Sequence, residues 1–544
     1  MSKKIFIFLC LLFVILLPFV FQKNGHNLME KADDTLIIIT PHHEDIRFEF
    51  TRGFKEWYFN KTGRSVFVDW RVLGGSQEIF RFLNAQYANA FEFYWTKVLK
   101  RRWSEGMQDA FTNSKIVLPS NLEEDDPIQT VRRTFLDSNV TSGIDILFGG
   151  GEIEAGEQAA RGNLVSSGIM QLHPGWFTED SIPEVVGGSY FWDNQGRWLG
   201  LSQSGFGIIF NRDALVKLGY LDEPKRWDDL VDERFFGEIA LADPIVSASS
   251  NRVFEMMFQQ KVQEYLREKG LNEKSTPDLY EALSEGWDRS LKLIQLVCAN
   301  GRYFTDSSTK PVLDVSAGDC AVGVSIDFYG LYQEENLRLR SNSSRFGFAF
   351  PKGGTVPTAD VVATLRGAPN PKVALAFIEY ALSLEGQKLW GFKVGTPGGP
   401  IHNALRRSPI RKELYVDEFY GYRSNPELNV YRDVGNFVYH PEWSTPIFKP
   451  LRFLVKVAFV DTHKELAKAW KAIIDAQAEG RHEDAKRALD KLQDFSIISY
   501  ENVIDTIKRK LSSSDVLEVL RLQGSLTHYF RKQYSAAEDL AKGK

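Results

Sequence analysis

Three short apolar runs, each followed by a stretch with helical patterning, constrain this chain more than any other feature. Leu36-Ile37-Ile38-Ile39 is apolar without alternation, as in a strand buried on both faces. Behind it, Ile46, Phe50, Phe54, Trp57 and Tyr58 recur at helical spacing as far as Thr62-Gly63, where glycine marks a helix end. Val66-Phe67-Val68 repeats the device, with Ile79, Phe80 and Leu83 on one side of its helix. The third run, Ile144 to Phe148, flows into Gly149-Gly150-Gly151. Strand, helix, strand, helix, strand in that order predicts a parallel sheet with right-handed crossovers. Residues 35–204 therefore read as a first α/β lobe, with an insertion at about 90–140.

A second α/β lobe is expected over 205–355. It has strands at Ile239–Ala242, Ala321–Ile326 and Phe346–Phe350, a helix after Asn251 and a long helical stretch around 254–300. Residues 356–402 return to the first lobe through Asn370-Pro371, a helix start with proline in the first turn. The remainder, 403–544, reads as a mostly helical extension. There Thr462-x-x-Glu465 has the form of a capping box, followed by Leu466, Ala469, Trp470, Ile473 and Ile474 at helical spacing. The fold class is thus α/β: two lobes of mixed sheet flanked by helices, plus a helical C-terminal extension.

Composition removes several functions. With 43% hydrophobic residues in 544, the chain can fill real cores. Lys and Arg total 66 against 71 Asp and Glu, so no basic field for nucleic acid exists. The runs Lys100-Arg101-Arg102 and Glu123-Glu124-Asp125-Asp126 read as solvated faces. Three cysteines cannot build a disulfide scaffold or a four-thiolate metal site. Met1–Lys4 carries two lysines ahead of an apolar run from Ile5 to Phe21, the pattern of an export signal or a retained membrane anchor, so 1–34 is assigned to a leader. Export leaves Cys298 and Cys320 two states, a disulfide or a pair of buried thiols.

Ligands of an open parallel sheet bind beyond the carboxyl ends of its strands. The first strand empties into Thr40-Pro41-His42-His43-Glu44 and the second into Gly74-Gly75-Ser76; the third reaches Gly150 and Gly151. Glycines before a helix start let backbone N–H groups approach an anion closely. In the second lobe, Ser247, Ser249, Ser250 and Asn251 stand at a helix start, and Asp327 and Tyr329 follow a strand. Gly200-Leu201-Ser202-Gln203-Ser204 approaches a nucleophile elbow, but Ser204 replaces the second glycine. Neither a Walker A loop nor a dinucleotide glycine motif is present. His42 and His43, adjacent on an extended segment, point to opposite faces and do not share one metal ion.

Several stretches resemble a known family. TPHHEDIRFEFTRGFKEWY, DWRVLGGSQEIFRFL and TVRRTFLDSNVTSGIDILFGGGE, with WLGLSQSGFGIIFNRDAL, DCAVGVSIDFYG and the segment from FGFAFPKGG to QKLW, are similar to the substrate-binding proteins of bacterial ABC importers. The likeness covers roughly 35–402 and is to the ferric-ion/organophosphate branch of the type 2 periplasmic binding proteins. It implies a periplasmic, non-catalytic monomer without a cofactor, free or membrane-tethered, that closes on a solute and delivers it to an ABC permease in the inner membrane. Ferric-binding members use a His where His42 stands. They also use an acidic residue where Gly150-Gly151 stand, and paired tyrosines where Asp327-Phe328-Tyr329 holds one. The expectation is therefore a small anionic solute held by Thr40, His42, Gly74, Gly75, Ser76, Gly150, Gly151, Ser202, Ser204, Ser247, Ser249, Ser250, Asn251, Asp327 and Tyr329. The alternatives are a ferric-ion carrier through His42 and Tyr329, an exported hydrolase using Asp327 or Ser202, and an anchored sensor or interaction protein.

Overall fold

The computed structural model describes residues 32–104, 106–118, 126–432, 437–513 and 515–544, with Ala248 and Ser249 described in the backbone only. The apolar leader and most of the acidic run at 123–126 lie outside these residues.

The three expected strands form at Asp34–Ile39, Val66–Arg71 and Ile146–Gly151, all parallel, with Asp34–Ile39 between the other two. Ile38 and Ile39 are fully buried, as an apolar run without alternation requires. The sheet continues through Thr358–Leu365, antiparallel to Ile146–Gly151, then Leu199–Ser204 and a short edge strand at Ser408–Pro409. Residues just past 402 thus belong to the first lobe's sheet edge. The longer helices of the extension lie between Phe448 and Ala541.

In the second lobe the strands run in the order Gly301–Thr305, Ile239–Ala242, Val322–Ile326, Phe206–Asn211 and Phe346–Ala349. The expected long helix is a hairpin of two, Ala248–Lys269 and Thr276–Ala299. The first begins at Ala248, not after Asn251, because Ser247 accepts a hydrogen bond from the Ser250 N–H at 3.2 Å and caps it.

Two crossings join the lobes. Leu199–Ser204 passes through Gly205 directly into Phe206–Asn211, and Phe346–Ala349 returns to Thr358–Leu365. The crossings touch: a Cβ on Gly205 would stand 2.6 Å from the Phe350 ring. Two mixed sheets exchanging strands at a shared waist are the two-lobed architecture that the resemblance implies. The C-terminal helices share one hydrophobic core with the second lobe, running from Phe206 and Trp227 through Trp287 to Trp470, Phe530 and Tyr534. Trp287 Nε1 donates to the Ile498 carbonyl at 2.8 Å, and Trp470 Nε1 to Asn300 Oδ1 at 2.8 Å. The capping box read at Thr462 does not form, because the Thr462 hydroxyl turns back to the Ala458 carbonyl one turn earlier. Cys298 and Cys320 are both free buried thiols. Among the described residues no helix is long and apolar enough to cross a membrane.

Candidate functional site

The strand exits of the two lobes face each other across a cleft of about 170 Å³. Of the residues expected there, His42, Ser76, Gly150, Gly151, Ser204 and Tyr329 line it. Ser76 opens the helix Ser76–Phe93 and Gly151 precedes Glu152–Arg161; both helices have a glycine N-cap that offers no capping side chain, and first-turn glutamates, Glu78 in one and Glu152 and Glu154 in the other, stand at their starts. Gly150 takes φ +113, where a Cβ is strained, and its N–H donates to Asp360 Oδ1 at 2.7 Å.

Other expected residues take different places. Thr40 is buried and donates to the Phe148 carbonyl at 2.6 Å, shaping the first exit from behind. Gly74 and Gly75 stand exposed at the helix entry, outside the cleft lining. Ser247 and Ser250 line a small adjoining pocket with Ser325 and with Ser308, which also borders the main cleft. Asn251 is buried with neither side-chain polar atom partnered, and the Ser249 side chain lies outside the described residues. Ser202 is buried in its strand and its Oγ has no hydrogen-bond partner, so no base is positioned to activate it as a nucleophile. Asp327 braces the waist: it accepts the Gly205 N–H at 3.0 Å and the Phe328 N–H at 2.7 Å.

Several charged groups of the cleft were not anticipated. Asp360, on the returning strand, accepts from His42 Nε2 at 2.8 Å and from Arg407. Arg407 lies under the second lobe, its guanidinium carbon 3.9 Å from the centre of the Phe328 ring. Arg252, from the second lobe, pairs with Glu152 of the first lobe at 2.7 Å and with Glu255 at 2.6 Å. His43 Nε2 meets Tyr329 Oη at 2.7 Å across the same gap. Glu154 also lines the cleft and accepts from Gln77 at 3.2 Å. Each lobe therefore brings an arginine to one crevice, and the first lobe adds the carboxylates Glu152, Glu154 and Asp360. Among the described residues no three His, Cys, Asp or Glu side chains gather as metal ligands, and His42 Nε2 is bonded to Asp360.

Burial sets the protonation states. It lowers His42 and His43 below the ordinary histidine value, in His42 against the pull of the Asp360 carboxylate. For Asp360 burial works upward, but His42, Arg407 and the Gly150 N–H hold the carboxyl down at about 2. Burial raises Glu152 to about 7 against the pull of Arg252, and raises Asp327 to about 7 against its two backbone donors.

The Asp327 shift sets a sign for stability. Its carboxyl holds a proton in the folded state between about pH 4, the unfolded value, and about pH 7, where the unfolded chain has lost it. Folding through this group is therefore favoured at low pH and weakens as pH rises to 7. The neutral buried histidines act in the opposite direction, so the readout is a difference. Asp327→Asn should gain on the wild type by on the order of 3 kcal/mol between pH 4 and 7 in urea denaturation. A constant difference across that range would show that Asp327 is ionised throughout.

Residues 145–410 match a family model described as bacterial extracellular solute-binding protein. Among curated proteins, an uncharacterised Haemophilus influenzae protein is 29% identical over 34% of this chain and 44% of its own length. The phosphoglycerate transport regulatory protein PgtC of Salmonella typhimurium is 26% identical over 34% of this chain and 38% of its own. The chain thus matches less than half the length of these relatives. Solved structures covering about four-fifths of the chain include the periplasmic binding protein AfuA of Actinobacillus pleuropneumoniae with fructose-6-phosphate (15% identity, TM-score 0.48, 79% of this chain, 99% of that one). Apo ferric ion-binding protein A of Pasteurella haemolytica is another (12%, TM-score 0.46, 77% and 96%). The matched span runs from the third strand of the first sheet, through both crossings and the whole second lobe, to the edge strand beside Arg407. Over residues 145–410 the chain is similar to the bacterial extracellular solute-binding proteins.

Proposed function

We propose that this protein is the exported solute-binding component of an ABC importer, and that it captures a small phosphate- or carboxylate-bearing molecule between its lobes for delivery to a permease. One observation carries the reading: an arginine from each lobe, Arg407 and Arg252, lines the same cleft as two helix starts with glycine N-caps. Guanidinium groups and free helix N–H groups are the donors that bind oxyanions best. Both arginines are paired with carboxylates, so an entering anion competes with Asp360 and Glu152 for them. Capture joins the two lobes through a single solute, and closure is what a permease reads. The Salmonella relative's name, which concerns phosphoglycerate transport, agrees with a phosphorylated solute.

Isothermal titration of the purified protein with 3-phosphoglycerate, glycerol 3-phosphate, inorganic phosphate and citrate tests this. One-to-one binding of at least one of them, with a Kd on the order of 1 μM or tighter, and no phosphate release on prolonged incubation is the expected result. Binding of Fe(III) alone, with a tyrosinate charge-transfer band, would replace this reading with the ferric one. Turnover of a phosphate ester would replace it with the hydrolase.

A further inference from the structure

The segment 437–440 lies beyond the residues that match the solute-binding family, yet it touches Arg252, which lines the cleft. It runs along the second-lobe helix Ala248–Lys269, where Gln259 donates to the His440 carbonyl at 2.7 Å and Gln263 to the Val438 carbonyl at 2.7 Å. From its other side the Tyr439 N–H donates to the Gly187 carbonyl at 2.7 Å, in a first-lobe turn between Val185–Val186 and Ser189–Tyr190. The approach is close: a Cβ on Gly188 would sit 1.9 Å from the Tyr439 carbonyl oxygen. Phe437 and Tyr439 also pack on Met256 and on Val356 of the second crossing. The chain is therefore tied to both lobes at their waist, a third link beside the two strand crossings.

From this strap the Tyr439 side chain enters the charged network. Its hydroxyl donates to Glu255 Oε1 at 2.6 Å and accepts from Arg252 Nη1 at 3.1 Å, and its ring centre lies 4.9 Å from the Arg252 guanidinium carbon. Without the Tyr439 hydroxyl and ring, Arg252 would be held by its two carboxylates alone. Fixing Nη1 on Glu255 and Tyr439 leaves Nη2 as the edge turned to Glu152 and the cleft. A planar five-donor group recognises an oxyanion only when its orientation is set.

We propose that the C-terminal extension completes the solute site, with Tyr439 as the positioning residue that aims the Arg252 guanidinium into the cleft. The inference rests on the anion-binding reading above. It gives the extension a part in solute recognition that residues 145–410 alone do not supply.

A double-mutant cycle read by titration with glycerol 3-phosphate and 3-phosphoglycerate tests it, using the full chain. Arg252→Gln should weaken binding of the bound probe tenfold or more. Tyr439→Phe should weaken it about three- to tenfold, and should have no further effect in the Arg252→Gln background, because it acts through that guanidinium. A merely structural role would lower affinity equally in both backgrounds, and that result overturns the proposal. So does wild-type affinity in Tyr439→Phe when Arg252→Gln is impaired. Should Tyr439→Phe lose its melting transition, Gly188→Ala displaces the same strap from the first-lobe side. It is expected to weaken binding only where Arg252 is present, and a loss independent of Arg252 counts against the proposal. A wild-type protein that binds none of the four solutes titrated above overturns the anion reading and this inference with it, whereas an Arg252→Gln variant that binds as tightly as wild type overturns this inference alone, because Arg407 still lines the cleft.

Discussion

Replacing Trp287 with alanine should lower the unfolding free energy by about 3–5 kcal/mol, the range for an aromatic removed from a packed core. Trp287 is 1% exposed and sits where three elements meet. It lies on the helix Thr276–Ala299, 5.9 Å from the Phe258 ring and 6.4 Å from the Tyr500 ring, and its indole N–H serves the Ile498 carbonyl. Alanine leaves both a cavity and a buried carbonyl without its donor, and these losses add. Because the second lobe and the C-terminal helices share one core, they should melt together. Equilibrium urea denaturation should show a lowered midpoint, with helix loss and second-lobe tryptophan fluorescence changing in one transition. A loss under 1 kcal/mol, or a tail that melts ahead of the lobe, would show that the helices are an independent appendage.

The sequence made the sheets legible where strands were apolar and continuous. Leu36–Ile39, Val66–Val68 and Ile239–Ala242 all sit where expected; Ile239–Ala242 is buried on both faces, which leaves a run without alternation, while Val66–Val68 lies on an edge strand whose burial alternates. Gly301–Thr305 was not legible: its residues, Gly-Arg-Tyr-Phe-Thr, are an edge strand's mixture, and its place depends on pairing with Ile239–Ala242. Thr358–Leu365, which completes the first sheet, was read only as part of a return to that lobe. Of the glycine exits read from the sequence, Gly150 and Gly151 line the cleft and Gly74 and Gly75 do not. The site was not legible at Arg407, Arg252 and Asp360. Arg252 falls inside a helix, Asp360 on a strand, and Arg406-Arg407 reads like any solvated charge pair. Only the fold brings them within reach of His42 and Glu152, across separations of 47 to 318 residues. Assigning everything past 402 to a separate extension also hid the cleft's first-lobe arginine and the edge strand beside it.

Substitution at Arg407 should have the largest effect on solute capture, and a paired variant separates its two roles. Arg407 holds Asp360 and faces the second lobe through Phe328. Arg407→Met keeps the volume and removes the charge, so an oxyanion loses charge-assisted hydrogen bonds worth about 1.5–3 kcal/mol each. With two such bonds the loss is on the order of a hundredfold or more in affinity. The same change leaves a buried carboxylate with His42 and the Gly150 N–H in place of its guanidinium partner, and breaking a buried pair costs about 3–5 kcal/mol of stability. That penalty alone would mislead, because a poorly folded protein also binds weakly. Asp360→Asn resolves the two effects. It removes the competing carboxylate and leaves the guanidinium short of an acceptor, so a solute oxyanion becomes its best partner. Affinity for an anionic solute should therefore hold or rise in Asp360→Asn while it collapses in Arg407→Met, each measured by titration on protein whose melting transition is intact. Equal losses in both variants would mean that the His42–Asp360–Arg407 cluster is scaffolding, and that the anion, if one is bound, is held on the Arg252 side of the cleft.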